Sequence, residues 1–370
     1  MHVLMSPPSA PPSAISLFSG AGGLDLGVEQ AGFSVRAAAE YDGDACASLR
    51  ANFPEMAVIE ADIRHVATKE LLAAAKLKAG EFELLIGGPP CTPFSKSGYW
   101  IERKRRGMDP QASLLEHYIR VLDEARPQMF LLENVFALAY ANNNRPWLDF
   151  LLESFDRLGY SVTQQTVLAA DYGVPQRRQR LILVGSLEGS PAMPQPTHTG
   201  PHERRIWASC GQLPHVTTGE AIGDLVGRKD LAEPGESVEG KYGHLLPEIP
   251  PGDNYLFYTA KRGHSSPVFG WRKRYWSFLL KLDPDQPSPT IQAQPGPYVG
   301  PFHWTNRRLR GLEIKRLQTF PDHFVICGNR RSVQRQVGNA VPPLLGRRIA
   351  EVLAGGRLAE TPTTQLELAA

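Results

Sequence analysis

A cysteine stands in an unusually stiff loop. Cys91 is flanked by Pro89, Pro90 and Pro93, and each proline holds its φ near about −65° and lacks a backbone donor. The preceding apolar run, residues 82–86, is typical of a buried parallel strand. Cys91 is therefore predicted at the carboxyl edge of a sheet, where open α/β folds bind their ligands. A thiol in that place is a candidate nucleophile.

A glutamate follows a second predicted strand, residues 129–132. Parallel strands end at the same edge of a sheet, so Glu133 is expected close to Cys91. A carboxyl group there can act as an acid or as a hydrogen-bond donor. Alone, Glu133 is equally typical of a residue that caps the next helix; beside Cys91 it completes a nucleophile and an acid.

Three arginines enter the last predicted strand of this region, residues 181–184. Strand alternation puts Arg178 and Arg180 on one face and Arg177 on the other. Their guanidinium groups suit a carboxylate, a phosphate or a base carbonyl. They would also favour the thiolate of a nearby cysteine, because a free thiol has a pKa of about 8.5 and is mostly protonated at neutral pH. The alternative is a solvated basic turn.

Three consecutive predicted strand ends carry groups that suit a nucleoside. A glycine-rich turn, residues 18–23, follows the first strand, and such a turn lets a ligand approach the backbone at a helix N-terminus. Glu40 ends the second strand, where an acid can bind a ribose, and Asp62 after the third can accept from an adenine amino group. A dinucleotide fingerprint needs another glycine where this chain has Asp25. The missing glycine favours S-adenosylmethionine over NAD as the ligand. The three groups in register also favour a ligand site over the simpler interpretation, in which the glycines form a tight turn and the acids cap helices.

Basic residues cluster at three places in a chain whose net charge is only +2. Lys96 and residues 103–106 follow the cysteine loop and are predicted to form a mobile lid that touches phosphates. Residues 261–276 hold five Lys or Arg and no acid, interleaved with aromatic residues, and a third group lies at 307–310. Each cluster alone is typical of a solvated surface. Together they predict a positively charged cleft for a nucleic acid.

These groups need a scaffold that brings strand ends together. Strand and helix patterns alternate through about residue 187 of the 370, which predicts an α/β fold with a doubly wound, mostly parallel sheet and an antiparallel edge. Residues 15–187 with 336–355 are expected to form the catalytic and cofactor-binding domain. Residues 188–335 read as a smaller, irregular target-recognition domain and hinge. Residues 1–14 and 356–370 are predicted to be loose tails, the first of them disordered.

Other classes of protein are disfavoured by what the chain lacks. Its four cysteines form no CxxC pair, so neither a disulfide framework nor a metal site is expected. There is no apolar run of membrane-spanning length and no secretory signal. We therefore expect a cytoplasmic protein without membrane contacts.

The motifs together resemble one family, the DNA (cytosine-5) methyltransferases of bacterial restriction-modification type. The resemblance is ordered and covers about residues 15–353. It is carried by Leu17 to Gly23, Pro89-Pro90-Cys91, Glu133-Asn134-Val135, Gln176 to Arg180, Arg308-Leu309 with Glu313, Phe320-Pro321-Asp322, and Gln336 to Pro342.

The resemblance implies a covalent mechanism. Cys91 attacks C6 of a cytosine, so that C5 takes the methyl group of S-adenosylmethionine and S-adenosyl-L-homocysteine is released. Glu133 holds N3, Arg180 contacts O2, and Arg178 supports the same pocket, while Asn134 supports the loop. The implied cofactor residues are Phe18, Gly20, Gly22, Gly23, Leu24, Glu40, Tyr41, Asp62, Ile63, Pro89, Leu114, Asn339 and Val341.

The resemblance also implies a double-stranded DNA substrate from which the cytosine is flipped out. Ser95 and Ser97 match positions that touch the DNA backbone, and Thr290 matches one beside the flipped base. Trp271, Arg272 and Arg274 of the variable domain are candidates for groove or backbone contacts. The protein would act as a monomer at the bacterial nucleoid, with a cognate restriction endonuclease that works independently.

Two alternatives keep the fold. A tRNA cytosine-5 methyltransferase would share the chemistry, but such enzymes have a comparatively short recognition region, whereas the one here exceeds a hundred residues. A non-catalytic DNA-binding regulator would have no need of Cys91, Glu133 or the cofactor residues. Methyl transfer to duplex DNA, and its loss in Cys91→Ser, separates these alternatives.

Overall fold

The computed structural model of the protein describes residues 10–90, 113–140, 145–200 and 211–355. Strands and helices alternate in the first half of the chain: β1 (Ser13–Leu17), α1 (Gly23–Gln30), β2 (Ser34–Glu40), α2 (Gly43–Asn52), β3 (Ala57–Glu60), α3 (Thr68–Ala75), β4 (Leu84–Gly87), α4 (Ser113–Ala125), β5 (Met129–Val135), α5 (Ala137–Tyr140), α6 (Arg145–Arg157), β6 (Ser161–Leu168), β7 (Gln176–Arg177) and β8 (Gln179–Ser186). The second half has shorter and sparser elements: β9 (His198–Thr199), β10 (Leu213–Pro214), α7 (Thr218–Ile222), β11 (Ser288–Pro289), α8 (Gly311–Leu317), α9 (Arg330–Asn339) and α10 (Pro343–Ala354).

One large sheet organises the described residues, with seven strands in the order β3-β2-β1-β4-β5-β8-β6. The first five strands pair in parallel. β8 runs antiparallel to both of its neighbours, β5 and β6. The predicted doubly wound sheet with an antiparallel edge is confirmed. No helix in the described ranges is long and apolar enough to cross a membrane.

Both faces of the sheet are covered. Leu84 and Ile86 of β4 face a core that includes Val28 of α1 and Ile349 of α10. The alternate residue, Leu85, faces a second core with α4 and α6. Alternation of side chains along each strand produces these two faces, and the continuous apolar runs of the sequence reflect burial on both of them.

The irregular segment has a core of its own. Leu246, Tyr255, Phe278 and Phe302 belong to a third cluster that is confined to residues 238–302. This segment has few regular strands. It is built mainly of short 3-10 turns and aromatic contacts, such as the edge-to-face contact of Tyr255 with Phe278. Residues flanking this segment, including Ile222 and Ile314, pack instead into the core that contains α1 and α10.

Several predicted boundaries are wrong. β1 begins at Ser13, so the end of the expected tail belongs to the sheet. α3 ends at Ala75, because Lys76 adopts a left-handed φ of 56°. Glu133 lies inside β5 rather than after it, since pairing with β8 continues to Val135. α9 was not predicted, and it begins six residues before the expected return to the catalytic domain at 336.

Candidate active site

A cavity of about 630 Å³ opens at the carboxyl edge of the parallel strands. Its wall includes residues from the ends of β1, β2 and β4, from the turn after β3, and from the segment between α9 and α10. Every predicted cofactor residue lines it except Gly22 and Gly23. The predicted residues on the wall are Phe18, Gly20, Leu24, Glu40, Tyr41, Asp62, Ile63, Pro89, Leu114, Asn339 and Val341.

Gly22 and Gly23 serve the packing of α1 beside the cavity. Gly22 caps α1 at a left-handed φ of 81°, a conformation that favours glycine. A Cβ atom on Gly23 would lie 2.3 Å from the carbonyl oxygen of Val341. Gly23 therefore allows α1 to approach the Ala340–Val341 backbone closely, while a Cβ atom on Gly22 would instead lie 2.7 Å from the ring of Phe53.

Glu40 is oriented by three backbone groups. Its Oε2 accepts a hydrogen bond of 2.8 Å from Gly20, and its Oε1 accepts from Tyr41 and Asp42 at 2.9 Å each. Burial raises the pKa of this carboxyl group, while these backbone donors act to lower it. A carboxylate offers about four acceptor sites. One site therefore remains for a ligand hydroxyl.

Asp62 caps the 3-10 turn at Ile63–His65 and is paired with Arg64. Its carboxylate accepts from Arg64 Nε at 3.0 Å and from Nη2 at 2.6 Å. This hydrogen bonding lowers the pKa of Asp62 to about 2, so the group is ionised at neutral pH. Arg120 of α4 donates to the carbonyl oxygens of Ile63 and Val66 at 3.1 and 3.0 Å. Arg120, which was not predicted as a site residue, thus fixes the turn that presents Asp62.

Glu133 and Arg180 meet at the other end of the cavity. Arg180 Nε lies 2.6 Å from Glu133 Oε1, and both side chains are largely buried. In the register of β5 and β8, Arg180 is opposite Val135, so Arg180 and Glu133 are diagonal neighbours on one face. A Cβ atom built on Gly88 would lie 3.3 Å from Glu133 Oε2. The carboxylate therefore borders the backbone that leads into the cysteine loop.

The start of that loop is part of the same wall. Pro89 and Pro90 line the cavity, and Asn134 Nδ2 donates to the carbonyl oxygen of Pro89 at 3.4 Å. This contact agrees with the supporting role predicted for Asn134. Cys91, Ser95, Ser97 and the basic stretch at 96–106 lie outside the described residues.

Arg178 occupies a different place from the one predicted. Its side chain is buried and does not line the cavity. Nη1 and Nη2 donate to the carbonyl oxygens of Gly338 and Asn339 at 2.9 and 3.2 Å. Burial and the neighbouring charge of Arg180 lower its pKa. Arg178 therefore ties β7 and β8 to the C-terminal end of α9, where a cation is favourable, and it holds the backbone of Asn339, a residue of the cavity wall, instead of lining the cavity itself.

A family model described as C-5 cytosine-specific DNA methylase matches residues 13–355. The chain belongs to this family. It is 47% identical over 362 residues to the Type II methyltransferase M.SacI of Streptomyces achromogenes, with 92% of each chain covered.

More distant relatives give the same result for this C-5 cytosine-specific DNA methylase. The Type II methyltransferase M1.HphI of Haemophilus parahaemolyticus is 33% identical over 341 residues, covering 92% of this chain and 86% of the relative. Among solved structures, a prophage-encoded DNA modification methyltransferase of E. coli superposes with a TM-score of 0.65 at 24% identity, covering 93% of this chain and 99% of the other. That structural likeness supports the fold.

Residues 261–276 of the methylase present an exposed basic surface. Arg272 and Arg274 are exposed. Lys261 Nζ lies 4.6 Å from the ring centroid of Trp271, and Arg274 lies 5.5 Å from that of Phe278. Aromatic rings thus hold the cations in place, while their charges remain available to a polyanion.

Thr290 connects this region to the catalytic edge. Its hydroxyl donates to the carbonyl oxygen of Arg177 at 2.9 Å, and the preceding strand β11 pairs with β7. Thr290 therefore lies beside the arginine-rich entry to β8, and its role beside a flipped base stays a prediction.

A second cavity of the methylase, about 950 Å³, adjoins the first and shares Gln294 and Arg335 with it. Four arginines from α9 and the segment before α8 line it: Arg308, Arg330, Arg331 and Arg335. Arg330 and Arg335 form ion pairs with Glu233 and Asp42. The arginines of α9 were missed as site residues, although Asn329 followed by two arginines is a recognisable cap of a basic helix.

Proposed function

We propose that this methylase transfers the methyl group of S-adenosylmethionine to C5 of a cytosine flipped out of duplex DNA. The observation that carries the proposal is the shared cavity. Glu40 and Asp62, suited to a nucleoside, line one part of its wall, and Glu133 with Arg180 lines another. A nucleoside cofactor and a second, planar substrate can therefore meet between them.

The residues present fit S-adenosylmethionine. The volume lies within the usual range for small-molecule sites, roughly 300–1,000 Å³. Glu40 has an acceptor site left for a ribose hydroxyl, Asp62 and Ile63 border the expected adenine position, and the exposed ring of Tyr41 offers a stacking surface. The cofactor supplies an electrophilic methyl group on a positively charged sulfur, and S-adenosyl-L-homocysteine is the product that remains. The proposal requires no metal.

The protein groups would act on the base in sequence. The Cys91 thiolate forms a bond to C6, while Glu133 holds N3 and Arg180 holds O2, so that electron density moves to C5. After C5 takes the methyl group, a base removes the C5 proton and the bond between Cys91 and C6 breaks. The ion pair with Arg180 keeps Glu133 in place before the cytosine enters the cavity.

Duplex DNA is the substrate that the positive surfaces favour. Extrusion of a base costs a few kcal/mol of lost stacking and pairing, and contacts between arginines and phosphates can offset that cost. The cavity lined by Arg308, Arg330 and Arg331 adjoins the catalytic cavity, so it is suited to hold the strand next to the flipped nucleotide. The exposed residues Arg272 and Arg274 would extend this surface.

The cellular setting follows from the same proposal. Both relatives are named Type II methyltransferases, and we infer that this enzyme acts as a cytoplasmic monomer in a restriction-modification system with a separate cognate endonuclease. Sedimentation of the purified protein tests the monomer. Protection of host DNA from an endonuclease with the same target tests the system.

Transfer of a radiolabelled methyl group tests the reaction. The purified protein is incubated with labelled S-adenosylmethionine and either plasmid DNA or a pool of tRNA. We expect label in the plasmid, none in tRNA, and none in either with Cys91→Ser. Label confined to tRNA would identify the alternative substrate, and S-adenosyl-L-homocysteine binding without transfer to any nucleic acid would favour a regulator.

A further inference from the structure

An aspartate without a partner lies against the cofactor cavity. Asp25 of α1 has no exposed surface, and neither of its carboxylate oxygens has a hydrogen-bond partner among the described residues. It nevertheless belongs to the wall of the cavity, together with Ser16 and Ser19. Burial of an unpaired carboxylate is costly, and such groups normally pair with a cation or remain protonated.

The surroundings of Asp25 contain no compensating charge within the described part of the chain. The charged groups that act on it are Glu29 on its own helix and Glu40 at the end of β2, both acidic. Burial raises the pKa of Asp25 to about 7, and the nearby Ser16 side chain acts in the opposite direction. The Ser16 hydroxyl is itself hydrogen-bonded to that of Ser19 at 2.7 Å. A ligand cation would supply what the protein does not.

The order of the strands indicates which part of the cofactor meets Asp25. Neighbouring strands lie about 4.8 Å apart, and the order β3-β2-β1-β4 places Asp62 and Glu40 on one side of β1 and the cysteine loop on the other. A cofactor whose nucleoside is bound at Asp62 and Glu40 therefore directs its sulfur toward the cysteine loop. The amino-acid arm then branches from the sulfur at the end of β1, where Ser16, Ser19 and Asp25 lie.

We propose that Asp25, supported by Ser16 and Ser19, binds the α-ammonium group of the methionyl arm of S-adenosylmethionine. This inference rests on the proposed function. The role is binding rather than chemistry, since Asp25 acts on a part of the cofactor that does not react. It also accounts for an acid at a position where a dinucleotide-binding turn would carry glycine.

Isothermal titration calorimetry with two ligands tests the assignment. One ligand is S-adenosyl-L-homocysteine, and the other is its analogue with hydrogen in place of the α-ammonium group. The wild-type protein is expected to prefer the first by roughly 10- to 150-fold, the range for a hydrogen bond to a charged group. In Asp25→Asn the two affinities should agree within about twofold.

Glu29→Gln is the matched control, because it removes a carboxylate from the same helix one turn away. It should keep the wild-type preference. A preference that survives in Asp25→Asn, or one that Glu29→Gln abolishes equally, would overturn the assignment. Failure of the wild-type protein to bind either ligand would instead overturn the proposed cofactor, and with it the function.

A measurement on the wild-type protein alone covers the case in which Asp25→Asn does not fold. A carboxyl group that titrates near pH 7 must ionise when it pairs with an ammonium group. Titrations at pH 7 in two buffers of different ionisation enthalpy should show release of about half a proton with S-adenosyl-L-homocysteine. The analogue should release none, and equal release by both ligands would contradict the assignment.

Discussion

Arg180 Nε and Glu133 Oε1 lie 2.6 Å apart, although the two residues are not opposite each other across β5 and β8. The diagonal contact joins two buried, oppositely charged groups at the entrance to the cysteine loop. Each charge stabilises the other, and both side chains are largely withdrawn from solvent. Both should therefore be sensitive to substitution, in stability as well as in activity.

Replacement of Arg180 tests this pair. Arg180→Met leaves the Glu133 carboxylate buried without its cation, which should cost about 3–5 kcal/mol of unfolding free energy. Methyl transfer should fall by roughly 100-fold or more, as expected when one fixed donor to a reacting group is removed. Urea unfolding and single-turnover methylation measure the two effects. Arg177→Met, at an exposed neighbouring position, should change neither.

Arg178 should affect cofactor binding through the backbone of Gly338 and Asn339. Arg178→Met removes both donors to the carbonyl oxygens of Gly338 and Asn339, at a cost of about 3 kcal/mol or more in stability. The affinity for S-adenosyl-L-homocysteine should fall, since Asn339 and Val341 lose their support. Arg178→Lys, which keeps a charge but cannot bridge both carbonyls in the same way, should restore part of each loss. A variant with normal stability and impaired transfer would show direct contact with the base instead.

Glu40 offers a sharper test of cofactor binding. Glu40→Gln keeps the shape of the side chain but turns one acceptor into a donor that faces backbone N–H groups. The affinity for S-adenosyl-L-homocysteine should drop at least about tenfold. Glu60→Gln at the end of the adjacent strand, where the carboxylate is half exposed and paired with Arg50, should leave calorimetric affinity unchanged.

The pH dependence of stability should report on Asp25. Its pKa is about 7 in the folded protein and near 3.8 in the unfolded chain. Between these values the folded state binds a proton that the unfolded state lacks, so its contribution to stability falls as pH rises from about 4 to 7. The shift corresponds to an upper limit of about 4 kcal/mol. Asp62, with a pKa lowered to about 2, has the opposite effect: its stabilising contribution is fully present above about pH 4 and is lost as pH falls from about 4 to 2.

Asp25→Asn removes the loss of stability that accompanies ionisation of the buried Asp25 carboxyl group. Without ligand, its melting temperature relative to wild type should therefore increase between pH 5 and pH 8. Glu29 and Glu40, whose pKa values burial also raises, are common to both proteins and cancel in the difference. A difference in melting temperature that is constant with pH would show that Asp25 does not titrate in this range.

The arginines of the second cavity should contribute to DNA affinity without contacting the cofactor. Arg331→Ala and Arg308→Ala are each expected to weaken duplex binding. Each should also reduce the slope of log K against log salt concentration by about one, which corresponds to the loss of one phosphate contact. Lys78→Ala is the control, because Lys78 is exposed after α3 and pairs only with Glu81 among the described residues. Unchanged salt slopes in both arginine variants would remove this cavity from the DNA path.

Local patterns were enough to predict the strand ends. Alternating apolar runs and short turns located Glu40, Asp62 and the glycine turn, because each lies at the end of a strand or within two residues of it. Glu133 was predicted at the correct edge for the same reason, although its strand continues two residues further. The antiparallel pairing that extends β5 is a long-range property, and the local pattern carries no sign of it.

What the sequence left out depends on contacts between distant segments. Arg178 resembles any other arginine of a basic turn until its partners, 160 residues later, are known. α9 was missed because it has few apolar residues, chiefly Val333 and Val337, and is held by polar contacts such as Ser48 with Gln336. Asp25 was noticed only as a departure from a glycine pattern. Its burial beside the cavity depends on how α1 packs in the folded chain, which the local sequence does not show.

The most direct test of the account maps the product. A plasmid of known sequence is treated with the enzyme and S-adenosylmethionine, and 5-methylcytosine is located by bisulfite conversion. We predict one recurring sequence in which the same cytosine is modified, complete loss of modification in Cys91→Ser, and retention of S-adenosyl-L-homocysteine binding by that variant. Absence of modified cytosine at any recurring sequence, or modification that persists without the Cys91 thiol, would contradict the account.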